Sequence, residues 1–255
     1  MAGMSLEQYF RQPQFQRLRR LILSVEGPQK VGKSTLALTA TSLGGVGYLD
    51  YDFGLKDMAI SAKEVFPEID LSKVWHLPLS APTAMLKDAD VPEAEYQKAW
   101  DKAIGAYYAS LADPRIPTTV IDTGTEFWEA CCLAHFSKLA KVFPPSKYTA
   151  PNGDMRKILR DATESTKSLI LIHRYKDEYV NDTKTGNQVF AGFKEVPGLV
   201  QMVVKMWKDN KGKYGLTIVD CRQKRSLEGM ELPPAIATFP QLLSLVHGSE
   251  EDDDG

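Results

Sequence analysis

Short apolar and β-branched runs recur at residues 21–25, 46–50, 73–77, 118–122, 168–173 and 214–219, each set off by polar or turn-forming residues. Runs of this length with apolar residues at nearly every position are the pattern of strands buried on both faces. Helix-like stretches lie between them. The clearest spans residues 92–112, where Ala94, Trp100, Ile104, Tyr107, Tyr108 and Leu111 fall at helical spacing and read as a packing surface. This alternation predicts an α/β protein built on a mainly parallel sheet with helices on both faces. Residues 177–190 break the pattern, with two short strand-like arms around a polar turn that read as a hairpin.

With 255 residues and 43% hydrophobic content, the chain is long enough for one large core. The reading is an N-terminal basic arm at 1–20, one domain at 21–247 and an acidic tail at 248–255. The arm carries Arg11, Arg17, Arg19 and Arg20, with Phe10, Phe15 and Leu18 as an apolar side able to dock on a second copy. The tail holds Glu250, Glu251, Asp252, Asp253 and Asp254; removing these five acids from a net charge of −2 leaves a body of +3. Such a tail reads as a solvated end. Cys131, Cys132 and Cys221 fit neither a disulfide framework nor a C-x-x-C metal spacing, and read as reduced core thiols. No stretch approaches the roughly 20 apolar residues that span a bilayer, and no signal-peptide segment is present, so a cytoplasmic protein with no membrane partner is expected.

Candidate chemistry concentrates at residues 27–35, Gly-Pro-Gln-Lys-Val-Gly-Lys-Ser-Thr, the pattern G-x-x-x-x-G-K-[ST] between an apolar run and a helix-like stretch. Gly27 and Gly32 let the backbone curl, and Pro28, Gln29, Lys30 and Val31 complete a loop whose N–H groups point at phosphates. Lys33 is expected to reach the β and γ phosphates and Ser34 to place its hydroxyl on Mg²⁺. Thr35 is expected to start the helix that carries Leu36, Ala37 and Leu38 into the core. The run at 118–122 ends in Asp122 followed by Thr123, an acid placed to hold magnesium beside such a loop. ATP and Mg²⁺ are the expected ligands.

Residues 48–55, Tyr-Leu-Asp-Tyr-Asp-Phe-Gly-Leu, resemble the segment of RecA-like ATPases in which a strand ends in Asp-x-acid. The resemblance runs over about residues 20–245 and implies a RecA-type core. Within it Asp52 takes the place of the acid that activates water, with Asp50 as the alternative. RecA has Glu there, so the shorter Asp puts reach in question. His173 and Arg174 take the positions that sense the γ-phosphate. A His at this point is similar to phage-encoded relatives, which implies a bacterial host cytoplasm. The hairpin takes the place of a mobile DNA-binding loop. The resemblance offers Lys176, Lys184 and Lys194, with Arg174, for nucleic-acid phosphates, and Tyr175, Tyr179, Phe190 and Phe193 for stacking on bases. Arg222, Lys224 and Arg225 resemble the cations that such rings and filaments supply in trans.

The expected function is an ATP-hydrolysing protein acting on single-stranded DNA in recombination, annealing or replication, self-associating and working with other proteins of those processes. Lys33, Asp52, Asp122 and Arg174 would be the catalytic set. Two other classes stay open: a nucleotide or small-molecule kinase, and a non-hydrolytic switch or partner-loading factor.

Overall fold

The computed structural model describes residues 19–82, 91–137, 148–180, 183–210 and 212–248. The arm before residue 19, the acids after 248 and the Tyr179 side chain lie outside the described residues.

In chain order the elements are β1 (Ile22–Glu26), α1 (Lys33–Leu38), β2 (Val46–Asp50), α2 (Leu55–Val65), β3 (Val74–Pro78), α3 (Glu93–Ala112), β4 (Thr118–Asp122), α4 (Gly124–Phe136), α5 (Thr149–Glu164), β5 (Ser168–Val180), β6 (Thr183–Ala191), α6 (Val196–Leu199), β7 (Met202–Lys208), β8 (Tyr214–Cys221), β9 (Glu231–Leu232) and α7 (Phe239–His247). The strands form one sheet in the order β3-β2-β4-β5-β1-β7-β8-β9, with β6 attached to β5. From β3 to β7 every pairing is parallel, and β8 and β9 add antiparallel at the edge.

Two-sided burial explains why the central strands read as unbroken apolar runs. Leu21, Leu23 and Val25, with Val120, Ile170 and Ile172, face a cluster closed by α1, α2 and α7. Ile22, Ile121, Leu169 and Leu171 face a second cluster closed by α3, α4 and α5. Each such side chain taken out of water stabilises the fold by about 1.5–3 kcal/mol. The stripe on α3 is packing surface: Trp100 lies 5.0 Å from the Phe127 ring, and buried Tyr107 donates its hydroxyl to the Ile158 carbonyl at 2.8 Å. All three cysteines are buried free thiols. Arg20 is buried too, its guanidinium donating to the Thr163 carbonyl and to Gln201 Oε1 at 3.2 Å.

The structure corrects the sequence reading at three places. The strand expected to stop at residue 173 continues to Val180, because its second half leaves the main sheet and pairs only with β6, Arg174 opposite Ala191 and Val180 opposite Thr183. The strand β7 has no counterpart in the hydrophobic pattern. Lys205 interrupts its apolar run, yet the strand lies between β1 and β8 because its other side chains are mostly buried. The last long strand, β8, is antiparallel to its neighbour and reaches Cys221.

Candidate functional site

The chain leaves β1 to build β2, β3 and β4, returns to β1 through β5, and only then adds β7 on the other side. The carboxyl ends of β1, β2 and β4, and the point near Arg174 where β5 leaves the main sheet, therefore open on one crevice, the place where open α/β sheets bind ligands. A cleft of about 490 Å³ lies there, and Gln29, Lys30, Gly32, Lys33, Ser34, Thr35, Asp52, Asp122 and Arg174 all line it. Residues spread over nearly 150 positions of sequence thus meet at one site.

The loop from Gly27 to Gly32 follows β1 directly. Gly27 (φ 145°) and Gly32 (φ 93°) hold backbone angles that side-chain-bearing residues rarely adopt, and Lys30 shares the left-handed region at φ 60°. Gly32 caps α1, whose first turn has no side-chain cap. The Lys33 ammonium folds back on the loop, donating to the carbonyls of Gly27, at 2.8 Å, and Pro28. Burial pushes its pKa down to about 8, against the pull of Asp122.

Asp122 is 4% exposed at the end of β4 and accepts two hydrogen bonds on Oδ2, from Ser34 Oγ and from the Tyr48 hydroxyl, both at 2.6 Å. Burial raises its pKa, while Ser34, Tyr48 and Lys33 pull it down. A buried carboxylate touching a hydroxyl is a set of hard oxygen donors, and a divalent cation placed there would offset the cost of burying the charge.

Of the two acids at the end of β2, Asp50 on the strand and Asp52 on the loop that follows, only Asp52 lines the cleft, where its carboxylate pairs with the Arg174 guanidinium. Asp50 is 1% exposed and engaged in holding the loop. It accepts from the backbone N–H of Asp52 at 3.0 Å and of Leu55 at 3.4 Å, and contacts His76 Nε2 at 3.0 Å. Arg174 reaches Glu126 Oε1 as well, at 3.4 Å, and so bridges two acids. Sequence reasoning missed Glu126, although Thr123-x-x-Glu126 is a helix-start signature and Thr123 does cap the Glu126 N–H at 3.2 Å. It also missed Glu26, buried at the end of β1, whose carboxyl pKa burial raises and which accepts from Tyr175 and Ser24 at 3.4 Å.

His173 is absent from the cleft wall. It is 1% exposed, wedged against Gly124, where a Cβ would come within 2.5 Å of Cε1, and packed at a tilt of 48° against the Phe190 ring of β6, 4.5 Å between centroids. Burial pushes its pKa down to about 3, against a smaller upward pull from the Ala191 backbone, so the ring is neutral. The unfolded chain takes up that proton near pH 6.5 and the native chain does not, so stability is lost as pH falls below about 6.5, by about 1.4 kcal/mol per pH unit. Urea unfolding of the wild type and His173→Gln is expected to show their stability difference narrowing by about 2 kcal/mol between pH 6.5 and pH 5. A constant difference would mean that the imidazole is solvated in the native protein.

Beyond the cleft, the hairpin candidates separate. Lys176 and Lys194 are exposed and line an open groove with Asp177, Glu178 and Phe190. Lys184 pairs with Asp177 at 2.8 Å. Phe193 is 2% exposed against Trp128 and has no face to offer a base, which corrects its expected stacking role. Tyr175 carries the Lys205 ammonium over its ring at 5.5 Å.

The third group, Arg222, Lys224 and Arg225, lies at the opposite end of the sheet. Cys221 pairs with Met202, which pairs with Leu23, three residues or about 10 Å along β1 from Glu26 where the phosphate loop begins. Arg222 donates to the Gly198 carbonyl, and Lys224 to the Leu245 carbonyl at 3.2 Å.

A second cavity, of about 440 Å³, adjoins the phosphate loop and is mostly apolar, with Val31, Leu36, Met58, Phe66, Met206 and Tyr214 in its wall. Among the described residues, no helix is long and apolar enough to cross a membrane.

No protein-family model and no curated protein matches the chain. Among solved structures, the chain is similar to the crystal structure of the RadB recombinase, at 19% identity and a TM-score of 0.50, over 83% of this chain and 84% of that one. At this identity the likeness shows the fold: a RecA-type α/β core, with a mainly parallel sheet and helices on both faces.

Proposed function

We propose that this chain is a Mg²⁺-dependent ATPase of RecA type that acts on single-stranded DNA in recombination, annealing or replication. The observation that carries the reading is the convergence of Lys33, Ser34, Asp122, Asp52 and Arg174 on one cleft at the carboxyl edge of the parallel sheet. The RadB structure, named a recombinase, supports the process assigned.

Ser34 and Asp122 would hold Mg²⁺, which when bound neutralises charge on the triphosphate. Lys33 would leave the Gly27 and Pro28 carbonyls for the phosphates, and the apolar cavity beside the loop would house the nucleoside. Asp52 would orient water once Arg174 releases it. Arg174 would then turn to the γ-phosphate as the sensing cation. His173 would act behind it as a positioning residue, its ring touching Phe190 and so linking the strand end to the hairpin. Lys176, Lys184 and Lys194, with Tyr179 and Phe190, are the residues proposed to meet DNA. Arg222, Lys224 and Arg225 lie on the far end of the sheet and would serve the nucleotide of a second copy, which makes a ring or filament the working form. The resemblance at His173 is what supports reading the protein as part of a phage-encoded system in the bacterial cytoplasm.

A second reading, a non-hydrolytic nucleotide switch, is favoured by the Asp52–Arg174 pair, which occupies the carboxylate that would handle water. Phosphate release with and without single-stranded DNA separates the two. Stimulation by DNA in the wild type, lost without loss of nucleotide binding when residues 181–186 are replaced by a two-residue turn, is the expected result. A trimmed protein still stimulated by DNA would remove the hairpin from the mechanism, and tight binding without turnover would establish the switch.

A further inference from the structure

On the α4–α5 side of the sheet, three side chains of different chemistry converge. Cys131 and His135 stand four residues apart on α4 and so share one face. Asp154 comes from the second turn of α5. Their ligand-capable atoms all lie within 4.8 Å of one another. His135 Nε2 is 2.8 Å from Asp154 Oδ2, and Cys131 Sγ makes a weak contact with the Pro151 carbonyl at 3.8 Å.

The cluster has a closed side and an open one. Cys131 is 0% exposed at its floor, while the side chains of His135 and Asp154 are 30% and 45% exposed at its mouth. A cation entering from solvent would therefore meet the carboxylate and imidazole first and the sulfur last. None of the three lines the nucleotide cleft.

We propose that Cys131, His135 and Asp154 form a Zn²⁺ site that clamps α4 to α5. Thiolate and imidazole select a borderline-soft cation such as zinc over Mg²⁺ or Ca²⁺, and three protein ligands leave a fourth position to water. Tetrahedral bonds of about 2.0–2.3 Å put ligand atoms roughly 3.3–3.7 Å apart. Ligand atoms at the 4.8 Å limit need to close by about 1 Å, while His135 Nε2 and Asp154 Oδ2, now 2.8 Å apart, need to open by about 0.5 Å, both within reach of rotamer adjustment by these two side chains at the mouth. On binding, the Cys131 thiol gives its proton to solvent and a sulfur–zinc bond takes its place, and the proton held between His135 and Asp154 moves to the other ring nitrogen or to solvent as zinc takes their lone pairs. No oxidant or reductant is involved. Burial pushes the free thiol's pKa up, with Cys132 and then Asp154 adding to the shift.

The test is titration of the full chain with Co²⁺ in excess Mg²⁺, followed by displacement with Zn²⁺. One equivalent with a thiolate-to-cobalt absorption band is expected. The band should vanish in Cys131→Ser and persist in Cys132→Ser, and zinc should bind at least about tenfold more weakly in His135→Ala. Absence of the band, or an unchanged band in Cys131→Ser, overturns the proposal. If Cys131→Ser does not fold, the exposed His135→Ala and Asp154→Asn decide: zinc affinity unchanged in both would equally overturn it. Failure of the ATPase reading leaves this result untouched, since no readout depends on nucleotide.

Discussion

Lys33→Ala is expected to lower ATP turnover by on the order of 10²–10³-fold while leaving the fold intact. Lys33 is the one cation of the phosphate loop that is buried at the cleft, and burial already holds its pKa near 8. The charge costs free energy in the empty site and repays it only when phosphates arrive. Removing it therefore spares the apo protein and strips the transition state of its nearest positive partner. The same argument sets a pH signature. Above about pH 8 the empty site loses the Lys33 proton, whereas bound phosphates hold it, so nucleotide affinity should fall as pH rises from 8 to 10 in the wild type and stay flat in Lys33→Ala. Phosphate release, isothermal titration across that range and circular dichroism check the three parts. Turnover within tenfold of wild type in the variant would place the chemistry elsewhere.

Gly27→Ala is expected to destabilise the protein by roughly 3–5 kcal/mol, enough to threaten folding itself. Two costs add. Gly27 sits at φ 145°, a conformation an L-residue pays about 1–3 kcal/mol to adopt. A Cβ there would also overlap the Met206 carbonyl oxygen on β7. That oxygen is backbone in a paired strand and has no rotamer with which to retreat. Gly186→Ala, on β6 at φ 85° with nothing among the described residues within 4 Å of the added carbon, carries only the backbone cost and should lose much less. Chemical denaturation of the two variants separates clash from strain: equal losses would mean that the β7 backbone yields to the new methyl group.

The contact between Gly27 and Met206 also shows where sequence reading stopped. The loop motif is local: glycine spacing, the lysine and the hydroxyl lie within nine residues, so the chain itself displays them. Strand β7, which forms one wall of that loop, was not legible, because Lys205 breaks the hydrophobic run and nothing nearby says that β1 will be its neighbour. Glu126 and Glu26 were passed over for a related reason. A glutamate reads as surface until an arginine 48 positions away, or a tyrosine 149 positions away, is brought against it. The separation of Asp50 from Asp52 was equally beyond reach. Both stand near one strand end, and only the placement of His76 and the loop N–H groups shows the first as a support and leaves the second facing the cleft.

The sequence alone determined the alternation of buried strands and helices, the phosphate-loop pattern and the acid at the end of β4, since each depends on residues close in the chain whose spacing is their physics. Only the tertiary structure decided the antiparallel edge, the length of β5, the burial of His173 and Phe193, and the meeting of Cys131 with Asp154. These turn on which distant elements pack together, and that choice is made by summed burial over the whole sheet rather than by any local pattern.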